Sequence, residues 1–108
     1  MNIAERNEYM KKLAEFHLSN VETRDLQIIK TVEELVSLSK ELCKYVVNSE
    51  LGVDIDYWDL YDEMFDVEFM MFQLKRLFLN NPYSQNQYDE ISIAKIEREL
   101  ERWGLNDK

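Results

Sequence analysis

The scarcity of turn-forming residues constrains the fold of this chain more than any other feature. Only two glycines and one proline occur in 108 residues, whereas the helix formers Glu, Lys, Leu and Met abound, so tight turns are few and long helices are favoured. Turn and cap formers cluster at 19–20, 51–54 and 80–82. They predict an all-α fold of four helices at about 3–18, 23–49, 56–79 and 87–103, the second and third long and antiparallel.

Length and charge narrow the classes of protein to consider. A chain of 108 residues with 45% hydrophobic content suffices for one core, so we expect a single domain over 1–108. The net charge of −9 disfavours binding to duplex nucleic acid or to an anionic membrane surface. No apolar run approaches the roughly 20 residues that span a bilayer, and no signal-peptide pattern is present. The lone Cys43 forms no internal disulfide, so a cytoplasmic protein is expected.

The second predicted helix is amphipathic. Its apolar residues recur at alternating steps of four and three, which predicts a stripe that faces the core. The members of this stripe are Ile28, Val32, Leu35, Ser39, Leu42 and Val46. The opposite side is polar, as is typical of a solvated face, and carries Gln27, Lys30, Glu34, Ser37 and Glu41.

The third predicted helix is apolar on two sides and therefore needs two partners. One side consists of Leu60, Val67, Met71, Leu74 and Phe78. The other, which we call the aromatic face, consists of Trp58, Tyr61, Phe65, Phe69 and Phe72. Because a small domain offers few internal surfaces, we expect a second subunit to cover the aromatic face. The pattern predicts a homodimer or a dimer of dimers.

An acidic strip separates these two sides of the third helix. It consists of Asp59, Asp62, Glu63 and Asp66. Carboxylates drawn together repel one another unless a cation or basic side chains compensate. With Glu33 and Glu34 of the preceding helix, they can form an oxygen cage suited to Mg²⁺. On pattern alone, a metal site and a surface charge cluster both remain open.

Three motifs follow one another in order along about residues 24–103. They are Gln27-x-x-Lys30-x-x-Glu33-Glu34, Asp62-Glu63-x-x-Asp66 and Lys95-x-x-Arg98. This series resembles the MazG-like all-α NTP pyrophosphohydrolases, particularly the short single-domain forms of phages and Gram-positive bacteria. The resemblance implies a four-helix bundle that hydrolyses a nucleoside triphosphate, NTP or dNTP, to the monophosphate and pyrophosphate.

The resemblance also implies a set of site residues. Glu34, Glu63 and Asp66 match metal-binding and catalytic positions of that family, which holds Mg²⁺, with Mn²⁺ as a substitute. The fourth carboxylate of the family pattern is Ser37 here, and Glu41 or Asp62 is expected to supplement the site. A hydroxyl is a weaker Mg²⁺ ligand than a carboxylate, so the implied hydrolase is a weakened one.

The family pattern assigns the substrate phosphates to basic side chains. By resemblance, these are Lys30, Lys95 and Arg98. The alternative is a catalytically inactive MazG-like nucleotide sensor or an acidic protein-binding module. Ser37 and the net charge of −9 support this alternative.

Overall fold

The computed structural model describes residues 1–106, which form four α-helices and contain no strand. The helices are α1 (Ile3–Ser19), α2 (Val21–Leu51), α3 (Tyr57–Phe78) and α4 (Pro82–Arg102). The all-α prediction with four helices is confirmed. No helix among the described residues combines the length and the apolar character that crossing a bilayer requires.

Asparagine caps define where three of the helices begin. At the start of α1, the Asn2 side chain accepts a hydrogen bond from the Glu5 backbone, and the Glu5 carboxylate accepts one from the Asn2 backbone, which is a capping box. Asn20 alone joins α1 to α2, and its side chain accepts from the backbone N–H groups of Glu22 and Thr23. A one-residue connection folds the chain back sharply, so α1 and α2 form a tight hairpin.

Helix α4 begins five residues earlier than the sequence predicted. Asn81 Oδ1 accepts a hydrogen bond of 2.9 Å from the Ser84 backbone, and Pro82 occupies the first turn. Proline lacks an N–H group, and the first turn of a helix does not need one. The Asn-Pro pair, interpreted from sequence as a break, is therefore the start of a helix.

The described residues divide into two compact units, one spanning Met1–Arg76 and the other from Leu77 onward. In the first unit α1 runs parallel to α3, because Arg6 near the start of α1 stacks on Phe65 in the first half of α3, and Glu15 Oε1 lies 3.8 Å from Arg76 Nη1 near the ends of both helices. Helix α2 runs antiparallel to both α1 and α3. The second unit holds α4, and the prediction of a single domain stays a prediction.

The interior of the first unit overturns the predicted orientation of α2. Among residues 1–106, the buried side chains are Ala14, Met70, Thr31 and Gln73. On α2, Thr31 is 4% exposed whereas its neighbour Val32 is 60% exposed. The predicted core stripe is therefore wrong for Val32, Leu35, Leu42 and Val46, all of which are exposed. Periodicity identifies an apolar face, but it does not identify which neighbour covers that face.

The polar side of α2 faces the interior instead. Gln27, Thr31, Glu34, Leu38 and Glu41 follow one another at steps of four and three, and all are buried or half-buried. The outward side of the helix, which we call the α2 apolar face, consists of Val32, Leu35, Val36, Leu42, Val46 and Val47. The candidate site therefore lies on the inner, polar side of α2.

Candidate metal centre

Antiparallel packing of α2 and α3 brings three carboxylates together. Glu34 comes from α2, and Glu63 and Asp66 lie three residues apart on one side of α3. One carboxylate oxygen from each residue lies within 4.8 Å of the other two, and all three side chains are half-buried. We call this group the acidic triad. It contains the three residues that the family resemblance assigns to the metal site, without the two expected supplements Glu41 and Asp62.

Nearby positive charges only partly balance the negative charges of the acidic triad. Removal from water raises the pKa of Glu34 above its ordinary value of 4.5, and repulsion by Asp66 and Glu63 raises this pKa further. A side-chain hydrogen bond with Asp66 acts in the same direction, whereas the nearby positive charge of Lys30 lowers the pKa. Folding therefore makes Glu34 harder to deprotonate than a free glutamate when no cation is bound.

This raised pKa has a consequence for stability. A carboxyl whose pKa is higher in the folded state stabilises the fold below its unfolded value of 4.5, and that contribution is lost as the pH rises through the folded value. We expect Glu34→Gln to raise the melting temperature at pH 7 in EDTA by a few degrees and to have no such effect below pH 4.5. Thermal denaturation followed by circular dichroism from pH 4 to pH 8 measures both.

The matched control for this experiment is Glu33→Gln, because Glu33 is the exposed neighbour of Glu34 and lies outside the acidic triad. It should change the pH dependence of the melting temperature less than Glu34→Gln does. A lower melting temperature for Glu34→Gln at pH 7 would contradict the repulsion inferred for the triad.

One oxygen of the acidic triad lacks a partner. Glu63 Oε2 is buried and finds no hydrogen-bond donor among residues 1–106. A buried carboxylate oxygen without a partner is costly unless a ligand satisfies it. Carboxylate oxygens are also the donors that Mg²⁺ and Mn²⁺ prefer in proteins. The residues present therefore fit a hard divalent cation.

The structure does not bring the two supplementary candidates into the acidic triad. Glu41 lies seven residues beyond Glu34, about 10 Å along α2, and its Oε1 is 3.1 Å from Lys44 Nζ. Asp62 is exposed on α3. Ser37 is half-buried one turn beyond Glu34. The expected supplement to the site stays a prediction.

The candidate phosphate ligands lie in both units. Lys30 is exposed one turn before Glu34, near enough for its charge to lower the pKa of that carboxyl. Lys95 and Arg98 line a shallow pocket with Glu99 on α4, in the second unit. Lys30 is therefore the basic candidate that the first unit places beside the acidic triad.

Helix α1 lies against part of the aromatic face. Phe65 and Phe69 line a pocket together with Tyr9 and Leu13 of α1, and the guanidinium of Arg76 lies 4.9 Å from the ring centre of Phe72. The other two members, Trp58 and Tyr61, are 78% and 58% exposed. The contact of the aromatic face with a second subunit stays a prediction. Trp58 and Tyr61 are the most accessible members of this face.

Two amide side chains of the first unit have buried polar atoms, and the sequence reasoning did not identify them as candidates. Neither polar atom of the Gln73 side chain, nor Gln27 Oε1, has a hydrogen-bond partner among the described residues. The Thr31 hydroxyl donates to the Gln27 carbonyl at 2.8 Å. The available signal was the polar stripe of Gln27, Thr31 and Glu34 at the same spacing as a core stripe.

No family model matches the chain, and no curated protein or solved structure is significantly similar to it.

Proposed function

We propose that the protein is a Mg²⁺-dependent nucleoside triphosphate pyrophosphohydrolase, which converts an NTP or dNTP and water to the monophosphate and pyrophosphate. The observation that supports this proposal most is the acidic triad, in which carboxylates from two antiparallel helices lie within 4.8 Å of one another. The unpartnered Glu63 oxygen adds to it. The proposed reaction type is taken from the family resemblance of the ordered sequence motifs.

Each residue of the acidic triad has a proposed role. Glu34, Glu63 and Asp66 would hold the metal through carboxylate oxygens. When bound, Mg²⁺ neutralises phosphate oxygens and lowers the pKa of a coordinated water. One carboxylate of the site accepts the proton of the attacking water, as a general base. The water oxygen bonds to the α-phosphorus, the bond from that phosphorus to the bridging oxygen breaks, and pyrophosphate leaves.

Basic side chains complete the proposed site. Lys30 lies one turn from Glu34 and presents a positive charge to the phosphate oxygens of the substrate. The family resemblance assigns the substrate phosphates to Lys95 and Arg98 of α4 as well. The polar side chains of Gln27, Thr31 and Gln73 offer donors and acceptors on the inner side of the first unit.

The alternative, a non-catalytic nucleotide sensor or acidic protein-binding module, is favoured by one observation. Ser37 occupies the position of the fourth carboxylate in the family pattern and contributes no negative charge. An altered metal shell typically costs 10–100-fold in affinity, or about 1–3 kcal/mol. Such a loss slows a hydrolase without silencing it at millimolar Mg²⁺, so we favour the enzyme.

We further propose that the protein is a homodimer or a dimer of dimers and that Trp58 and Tyr61 lie at a subunit contact. Both rings are largely exposed, and an exposed aromatic patch on a small protein is typical of an interaction surface.

A panel of canonical and modified NTPs and dNTPs, assayed for pyrophosphate release with Mg²⁺ or Mn²⁺, tests the proposed activity. We expect release from at least one nucleotide and none in EDTA. Nucleotide binding without release from any member of the panel would favour the sensor.

A further inference from the structure

A cavity of about 180 Å³ lies in the first unit where α2 ends and α3 begins. We call it the loop-end cavity, and the polar side chains that line it include Glu41, Tyr45, Asn48, Asp54 and Asp59. Asp54 and Asp59 are exposed, so the cavity opens to solvent. A cavity of about 150 Å³ accommodates a benzene molecule. The loop-end cavity is therefore large enough for a flat ring.

The loop-end cavity lies on the same side of α2 and α3 as the acidic triad. Glu41 is seven residues beyond Glu34 on α2, and Asp59 is seven residues before Asp66 on α3. Seven residues make nearly two full turns, so the members of each pair share one side of their helix and are about 10 Å apart along it. Because α2 and α3 are antiparallel, both steps lead from the acidic triad toward the cavity.

We propose that the loop-end cavity holds the nucleobase of the substrate and selects bases that carry an exocyclic amino group, such as cytosine and adenine. This inference rests on the proposed function, which places the α-phosphate at the acidic triad. The step of about 10 Å from the triad to the cavity is comparable to the length of a nucleoside. Lys30 lies one turn from Glu34 in the opposite direction. The β- and γ-phosphates therefore extend toward Lys30, and the nucleoside extends toward the cavity.

The free polar groups of the loop-end cavity are mainly hydrogen-bond acceptors. Glu41 is paired with Lys44 at 3.1 Å, and Asp56 Oδ1 accepts a hydrogen bond from a backbone N–H group at the start of α3. The side chains of Asp54 and Asp59 make no hydrogen bond or ion pair among residues 1–106. An ionised carboxylate only accepts hydrogen bonds. The two free carboxylates therefore favour a ligand with N–H groups and disfavour a phosphate.

An exocyclic amino group meets this requirement, whereas a carbonyl oxygen does not. Cytosine carries an amino group at the ring position where uracil carries a carbonyl oxygen, and adenine differs from hypoxanthine in the same way. A carboxylate accepts a hydrogen bond from the amino group and repels the carbonyl oxygen. Tyr45 offers an aromatic ring on which any base can stack, and the Asn48 amide offers both a donor and an acceptor.

Two matched pairs of nucleotides test the selection. We expect kcat/KM for pyrophosphate release to be at least about tenfold higher for CTP than for UTP and for ATP than for ITP, and a pair that is hydrolysed at all decides. Asp54→Asn combined with Asp59→Asn should abolish this preference, because an amide donates to a carbonyl as well as accepting from an amino group. The matched control is Asp25→Asn combined with Glu50→Gln. It removes two exposed carboxylates of α2 outside the cavity and should keep the preference.

A binding measurement separates this inference from the proposed activity. Nucleosides carry no phosphate, so their binding needs no metal and can be followed by NMR in EDTA through the side-chain amide signal of Asn48. We expect cytidine and adenosine to shift this signal more strongly than uridine and inosine do. Tyr45→Ala should raise the dissociation constants of all four at least about fivefold, because it removes the stacking surface.

The two measurements fail in different ways. Nucleoside binding at Asn48 without pyrophosphate release from any nucleotide would contradict the hydrolase and would keep the cavity as a nucleoside site. Pyrophosphate release at equal kcat/KM within each pair, or an unchanged preference in the Asp54→Asn and Asp59→Asn double variant, would overturn the assignment of the cavity and leave the hydrolase in place. The assignment is also overturned if neither cytidine nor adenosine shifts the Asn48 signal.

Discussion

Glu63→Gln should reduce pyrophosphate release by at least about 100-fold in kcat/KM. The substitution keeps the shape of the side chain but removes the negative charge, and it converts one oxygen of the acidic triad into an amide nitrogen that cannot bind a cation. The same variant should show weaker Mn²⁺ binding by calorimetry. Circular dichroism should remain that of the native protein, because Glu63 accepts no hydrogen bond at its buried oxygen among residues 1–106.

Glu68→Gln is the matched control, since Glu68 is an exposed carboxylate on the same helix and lies outside the acidic triad. It should retain native activity and native Mn²⁺ binding. If Glu63→Gln, alone and combined with Asp66→Asn, left Mn²⁺ binding unchanged, the metal would have to bind elsewhere.

Ser37→Glu should raise activity 10–100-fold at limiting Mg²⁺, which corresponds to recovering about 1–3 kcal/mol of metal binding. Ser37 is half-buried one turn beyond Glu34 on the inner side of α2, so a carboxylate at this position can join the acidic triad. The gain should shrink as Mg²⁺ approaches saturation, because excess metal fills the native site as well. Pyrophosphate release measured across a Mg²⁺ titration separates the two regimes.

The control for this gain is Ser49→Glu, which adds the same charge at an exposed position near the end of α2. It should leave the Mg²⁺ dependence unchanged. The results would instead support the non-catalytic sensor if the native protein bound nucleotides but released no pyrophosphate. In that case, the Ser37→Glu variant should also be inactive at every Mg²⁺ concentration.

Local signals in the sequence predict well where the helices lie in the chain. They predict poorly which helix surfaces pack against each other. Asn2 and Asn20 are good cap residues, and Gly52 ends α2 in the left-handed conformation that glycine adopts readily. The spacing of Glu63 and Asp66 places both on one side of α3, whatever packs there. These features depend on a few adjacent residues, so a sequence pattern suffices to predict them.

The orientation of α2 depends on which of its sides packs against the other helices. A pattern of adjacent residues does not identify that side. The stripe of Val32, Leu35 and Leu42 has the spacing of a core stripe, yet these residues are exposed. Thr31 and Gln73 have polar side chains, yet both are buried. Since the inner side of the unit is polar, hydrophobic periodicity identified the outer surface as the core.

The one-residue connection at Asn20 limits where residues can be inserted into or deleted from the chain. Each residue added to or removed from a helix start rotates the rest of that helix by about 100°. An insertion at Asn20 would therefore turn Glu34 away from Glu63 and Asp66 unless the entire hairpin readjusted. The longer segment between α2 and α3 can absorb an extra residue far more easily. Insertions and deletions in related chains should therefore accumulate between residues 52 and 56 and be absent at Asn20.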